Sequence, residues 1–227
     1  RNCGVHHCAN RASQKRGGSS RCHRILLRQS VTALPTVIVL AAGKGERFKA
    51  SGGSHDKLEI WLNGMPVRAH VLAAVHASGL PCHVVERSHT AHLPAPGMGD
   101  SIACGVAATA DATGWLILPA DLPLIQVSTL LAVAAALQQH QVVVPIYEGQ
   151  QGHPVGFSSS CREALLKLTG DQGARAVVAQ HEVGRVGVDD EGCVLDVDTV
   201  DILKQLEVRL QKSPLIDISQ SNVSNTR

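Results

Sequence analysis

The sequence predicts an α/β fold: a mostly parallel sheet with helices on both faces. Three observations lead there. Short, largely apolar runs recur at residues 37–40, 82–86, 115–118 and 142–147, the pattern of strands buried on both sides. Segments of helical spacing separate them, and strand–helix alternation builds a parallel sheet. Aromatic residues are only 2% of the chain, so the core has to be Val, Leu, Ile and Ala.

The first strand, residues 37–40, stops at the small Gly-rich turn Ala41-Ala42-Gly43-Lys44-Gly45. Residues 66–78 have helical spacing with Pro66 in the first turn, where a missing N–H is tolerated. Gly79, Leu80 and Pro81 end that helix, and a strand follows near 82–86. A loop rich in His and Pro, 88–99, leads to a helix from Ser101 to about Thr109. Residues 115–118 (WLIL) are a short buried strand, closed by Pro119-Ala120-Asp121-Leu122-Pro123. Ser128 caps a helix running through Gln139. A strand at 142–147, a Gly turn and the segment 153–157 come next. A helix near 160–168 precedes a turn at 170–175 that opens another helix. Short strands near 183–188 and 193–197 lead to a last helix from about Val200.

A chain of 227 residues suits one ordinary domain plus tails. The reading is a basic, disordered N-terminal extension at 1–35, one folded α/β domain at 36–211 and a polar tail at 212–227. Residues 1–35 hold seven Lys/Arg and no acids, which leaves the remainder a net charge of −5. A basic head on a mildly acidic body does not describe a nucleic-acid-binding domain, and so few aromatics give no platform for base stacking. Cys3, Cys8, Cys22, His6, His7 and His23 match no closed zinc spacing. The seven cysteines are odd in number and scattered, which suggests a reducing, cytoplasmic setting. No apolar run reaches transmembrane length.

The chemistry concentrates in loops after strands, where ligands gather in open α/β sheets. The first Gly turn, with Arg47 and Lys57 beyond it, suits a polyphosphate: amides cradle the oxygens and cations offset their charge. It is not a Walker A loop, because Ile38 stands at the first Gly position. It is not a dinucleotide fingerprint, because Phe48 stands at the third. Asp121 ends a buried strand and suits a hard cation beside phosphates; a turn aspartate bonding its own backbone is the alternative. Asp196 and Asp198 share a face if extended and either complete a metal site or cap a helix. The loop 94–101 offers amides for a base or ribose, or is only a connection. His153 is an anion contact or a structural imidazole. Asp171 and Arg175 bind a second anionic substrate, or belong to a capped helix with an exposed Arg. No Gly-x-Ser-x-Gly elbow supports hydrolase chemistry.

Taken in order, Leu40-Ala41-Ala42-Gly43 with Arg47 and Lys57, Gly97-Met98-Gly99-Asp100-Ser101, Leu118-Pro119-Ala120-Asp121-Leu122-Pro123, Gly152-His153-Pro154-Val155, Gly170-Asp171-Gln172-Gly173-Ala174-Arg175 and Asp196-Val197-Asp198-Thr199 resemble the molybdenum cofactor nucleotidyltransferases. Those enzymes have three-layer, Rossmann-like NTP-transferase folds, and the likeness spans about residues 36–205. The resemblance implies transfer of a nucleotide from an NTP to the terminal phosphate of molybdopterin, with release of pyrophosphate. It implies that Arg47, Lys57 and Asp121 are catalytic, and that Leu40, Ala41, Ala42, Gly43, Gly97, Met98, Gly99 and Ser101 bind nucleotide. It also implies that His153, Asp171 and Arg175 face the acceptor, and that Asp121 with Asp198, preferred over Asp196, holds Mg2+. The guanylyl type usually has Gly-Gly where this chain has Ala42-Gly43, so CTP is favoured over GTP. A molybdenum hydroxylase would receive the product. Two other functions share parts of this pattern: a sugar- or alditol-phosphate nucleotidyltransferase, and a non-catalytic molybdopterin-binding insertion chaperone. The stretch from Arg47 to Lys57 is longer than the family's usual Arg-Met-Gly-x-x-Lys, which implies a displaced Lys57.

Overall fold

The computed structural model describes residues 34–53 and 56–212. The expected N-terminal extension and its Cys/His set therefore lie outside the described residues, apart from Leu34 and Pro35. So does the tail beyond Lys212.

The chain opens with β1 (Thr36–Ala41), followed by the one-and-a-half-turn helix α1 (Glu46–Ala50). Gly45 precedes α1 with φ of 64°, a left-handed value that glycine adopts without steric cost. A two-strand hairpin comes next, β2 (Trp61–Leu62) and β3 (Met65–Pro66). Its turn, Asn63-Gly64, has φ of 45° and 91°, the pairing that tight hairpins favour. Then come α2 (Val67–Ser78), β4 (Cys82–Glu86), α3 (Arg87–Thr90), α4 (Met98–Ala108) and β5 (Gly114–Pro119). The second half holds α5 (Val127–Ala136), β6 (Val142–Tyr147), β7 (Gln150–Gln151), β8 (Val155–Ser158), α6 (Arg162–Leu166), α7 (Arg175–Ala179), β9 (Val183–Gly187) and α8 (Val200–Lys212).

Among the described residues, seven strands make one sheet, in the order β4-β1-β5-β8-β6, with β6 also pairing β7 and β9. The β1–β4, β1–β5 and β6–β9 pairs are parallel, whereas β8 and β7 run antiparallel to their neighbours. The expected mostly parallel sheet is therefore present, with β8 inserted between β5 and β6. Side chains alternate across it. Val37, Val39, Leu116 and Leu118 face Val71 of α2, Leu130 of α5 and Leu206 of α8. Ile38, Trp115 and Ile117 face Ile102 of α4, Leu165 of α6 and Val177 of α7. The sheet thus forms the middle of three layers. Among the described residues, no helix is long and apolar enough to cross a membrane.

Four local expectations change. The helix expected from Ser101 begins at Met98, because the Asp100 carboxylate accepts the Gly97 N–H and Ser101 N–H already bonds the Gly97 carbonyl. The expected 88–99 loop is preceded and partly replaced by the short α3, which spans Arg87–Thr90. The helix expected through Gln139 ends at Ala136, and Gln126 rather than Ser128 holds its N-cap position. Residues 193–197 are not a strand: Cys193 and Val194 bond back within a tight turn, and Val197 N–H goes to the Asp121 carbonyl at 2.9 Å. A segment that gives its amides to a turn and a loop has no ladder to join.

Candidate active site

β5 delivers Asp121 to the carboxyl end of the parallel strands. Ala120 N–H continues the ladder to the Leu40 carbonyl at 3.1 Å, so Asp121 emerges beside the first Gly turn. The bond from Val197 N–H brings the 196–198 segment onto the same spot. Carboxylate oxygens of Asp121, Asp196 and Asp198 lie within 4.8 Å of one another.

Two cations meet this cluster. Lys57 Nζ donates to Asp121 Oδ2 at 2.6 Å and to Asp198 Oδ1 at 3.1 Å. Arg47 pairs with Asp198 through its guanidinium. The Lys57 side chain is only 12% exposed; burial alone would lower its pKa, but the two carboxylates outweigh it and hold the amine charged. Asp196 goes the other way. Burial, then the Asp198 and Asp121 charges, push its pKa up to about 6. Asp121 Oδ1 is buried with no hydrogen-bond partner among the described residues. A buried anionic oxygen is costly to leave unpaired, and three hard oxygen donors at this spacing suit Mg2+ or Mn2+.

The long Arg47–Lys57 stretch does not carry Lys57 away. α1 takes up the extra residues, with Phe48 buried against the core. Asp56 Oδ1 accepts Leu58 N–H at 3.2 Å and opens the tight turn Lys57–Glu59. Ser51 Oγ accepts Val200 N–H at 3.1 Å, which ties the start of α8 to the same loop. Arg87 closes the arrangement: its guanidinium donates to the Gly43 carbonyl, by Nε at 3.2 Å and a terminal nitrogen at 2.5 Å, and pairs with Asp56 at 2.9 Å. Nothing in the local sequence marks Arg87, whose partners are a backbone carbonyl and a residue 31 positions away.

The end of β1 runs from half-buried Leu40 through buried Ala41 and half-buried Ala42 to exposed Gly43. Gly97, Gly99 and Ser101 are placed elsewhere, on the first turn of α4, with Met98 exposed beside them. That turn packs against residues 169–171. A side chain on Gly99 would approach the Thr169 backbone to 2.8 Å, and one on Gly97 would collide with the Gly170 carbonyl and the Asp171 carboxylate. Asp171 and Arg175 are both exposed. The structure therefore links Arg47, Lys57, Asp121 and Asp198 in one group and Gly97, Gly99 and Asp171 in another. No hydrogen bond or ion pair joins the two groups among the described residues. His153 is near the first group. Burial lowers its pKa against the pull of the Asp121 charge, so it is neutral at neutral pH. Its backbone N–H bonds the Cys193 carbonyl at 2.8 Å, and its ring Nδ1 is buried without a partner among the described residues.

The arrangement can hold a divalent ion on carboxylates beside two cations and an exposed Gly loop. Comparison with known proteins places the chain in a family. A family model described as the MobA-like NTP transferase domain matches residues 37–186. The purine catabolism protein PucB of Bacillus subtilis strain 168 is 30% identical over 191 residues, covering 71% of this chain and 90% of that protein. Rv0371c from Mycobacterium tuberculosis H37Rv, solved in complex with manganese, is 25% identical over 77% of this chain and 98% of its own, with a TM-score of 0.60. Molybdopterin-guanine dinucleotide biosynthesis protein A from Archaeoglobus fulgidus, 15% identical over 78% and 100% of the two chains at a TM-score of 0.58, shares the fold alone.

Proposed function

Since the chain belongs to the MobA-like NTP transferase family, we propose that this nucleotidyltransferase moves CMP from CTP to the terminal phosphate of molybdopterin. The observation that carries the reading is Lys57, held between Asp121 and Asp198 beside the loop at the end of β1. A site that only carried a pterin has no need of a buried lysine between two carboxylates. The resemblance of Ala42-Gly43 to the cytidylyl type favours CTP over GTP.

In this reading Asp121 and Asp198, joined by Asp196, hold Mg2+; the manganese complex of the Rv0371c protein supports a divalent ion here. When bound, Mg2+ neutralises charge on the triphosphate and polarises its phosphorus centres. The residues of the chain do the rest. Amides of Ala42 and Gly43 face the phosphates. Two of the three Lys57 donors are spent on carboxylates among the described residues, and the third remains for a phosphate oxygen. Arg47, 80% exposed at its side chain, can turn to the β- and γ-phosphates. The acceptor phosphate oxygen forms a bond to the α-phosphorus as the α–β bridging bond breaks, and pyrophosphate leaves. Catalysis is positioning plus electrostatic stabilisation. Exposed Met98 and the Gly97 turn contact the nucleoside, with buried Gly99 and Ser101 shaping that turn from behind, Ser101 Oγ donating to the Gly97 carbonyl at 3.1 Å. His153, Asp171 and Arg175 meet the acceptor. The described cysteines Cys82, Cys104, Cys161 and Cys193 are free thiols, in keeping with a reducing cytoplasm. A molybdenum hydroxylase is the recipient.

The test is pyrophosphate release with Mg2+ and each NTP, with and without molybdopterin. Release with CTP that requires molybdopterin is expected. Release that requires a sugar or alditol phosphate instead, or pterin binding without any release, would overturn the proposal.

A further inference from the structure

Asp100 stands outside the carboxylate centre, yet its side chain is doubly engaged. Its Oδ2 accepts Gly97 N–H at 2.9 Å and Gly170 N–H at 2.8 Å. The first bond caps its own helix, α4. The second does not serve α4 at all: it reaches a turn 70 residues further along the chain. Shape reinforces that link. Gly97 and Gly99 leave no room for a side chain against Thr169 and Gly170, and Met98 Sδ lies 3.1 Å from where a side chain on Gly173 would start. Gly173 has φ of 58°, a conformation glycine favours. The backbone bond from Gly97, then burial against it and the bond from Gly170, leave Asp100 below its usual carboxylate range, so it is ionised at neutral pH. A charge-assisted bond at this junction is stronger than a neutral one.

We infer that Asp100 is a positioning residue that couples the two substrate sides, so that nucleotide contact at 97–101 also fixes the turn at 169–173 and, through it, Asp171 and Arg175. This rests on the reading above, in which 97–101 meets the nucleotide and 170–175 the acceptor. A cap serving α4 alone would steady the first loop and leave the second unmoved. The link makes the acceptor side more ordered once the nucleotide has bound, and so favours nucleotide binding first.

Hydrogen–deuterium exchange on the full chain, with and without Mg2+ and CTP, separates these cases. In the wild type, Mg2+ with CTP slows exchange at both 97–102 and 169–173. In Asp100→Ala the Gly170 amide exchanges about tenfold faster or more, the loss of one charge-assisted bond. There, Mg2+ with CTP still protects 97–102 but not 169–173. Asp100→Asn keeps an oxygen at the junction and restores the joint response. Protection confined to 97–102 in the wild type, or equal protection of 169–173 in wild type and Asp100→Ala, would overturn the inference. If no NTP protects any segment of the wild type, the proposed function fails, and the link is judged on Gly170 exchange without ligand. Faster exchange in Asp100→Ala then upholds it, and unchanged exchange overturns it. Should Asp100→Ala not fold, Asp100→Asn decides: its neutral bond predicts Gly170 exchange about threefold faster than wild type, and identical exchange overturns the link.

Discussion

Asp121 has two oxygens in opposite situations: Oδ2 takes the Lys57 ammonium at 2.6 Å, while Oδ1 is buried and unpaired among the described residues. An oxygen left in that state is explained if an ion completes it. Asp121→Ala should therefore lower the rate of pyrophosphate release by roughly 10²–10³ or more, the scale seen when one preorganised electrostatic contact is lost. Activity close to wild type would place the metal elsewhere. Asp196 makes a second prediction. Its raised pKa, about 6, means that folding favours the neutral acid. Its contribution to the stability of the metal-free protein is thus present below the ordinary carboxylate range and lost as pH rises through 6. Metal binding requires the ionised form. Mn2+ affinity measured by calorimetry should be flat above pH 7 and weaken by about tenfold per pH unit below 6, and Asp196→Asn should remove that slope.

At the scale of elements, the site depends on how the loop from β1 to β2 is folded back. Arg87, at the start of α3, joins Gly43 to Asp56 and so holds the Gly turn and the Lys57 turn together. Its side chain is 48% exposed, so its ion pair alone adds little to stability. Arg87→Ala should leave the melting temperature nearly unchanged while raising KM for the NTP about three- to tenfold, the effect of one or two lost hydrogen bonds. A large fall in melting temperature with unaltered KM would make Arg87 a merely structural residue. These elements differ in how visible they are in sequence. The buried strands are plain because their apolar runs serve both faces. Asp121 is marked by the end of a buried strand, whereas the spacing of Asp196 and Asp198 suggests one face of a strand that does not form; a turn and the Val197 bond to Asp121 bring those acids in instead. The β2–β3 hairpin had a signal in Asn63-Gly64 between apolar residues. α1 had almost none, since five residues give too little periodicity. Arg87 and the second bond of Asp100 were not readable, because backbone groups brought near only by the tertiary fold define them.

For the whole molecule, ligand binding and stability are one measurement. Mg2+ with CTP at about a hundred times its Kd should add about 2.7 kcal/mol, roughly 5–10 °C in melting temperature for a chain of this size. GTP at the same concentration should give a smaller shift, and an equal or larger one would count against the cytidylyl preference. The strand–helix alternation gave the layers, but not β8, whose antiparallel course between β5 and β6 depends on which neighbours have an open edge. The segment after β9 has a consequence of its own. It leaves the sheet at Gly187, crosses back to Asp121 through Val197, and places Asp198 141 residues from the lysine it binds. A polypeptide emerging from the ribosome therefore completes every strand of the sheet before it has the last acid of the centre. A chain interrupted between residues 187 and 198 would carry the whole sheet without a finished centre, so incomplete products would compete poorly for nucleotide and metal with finished enzyme.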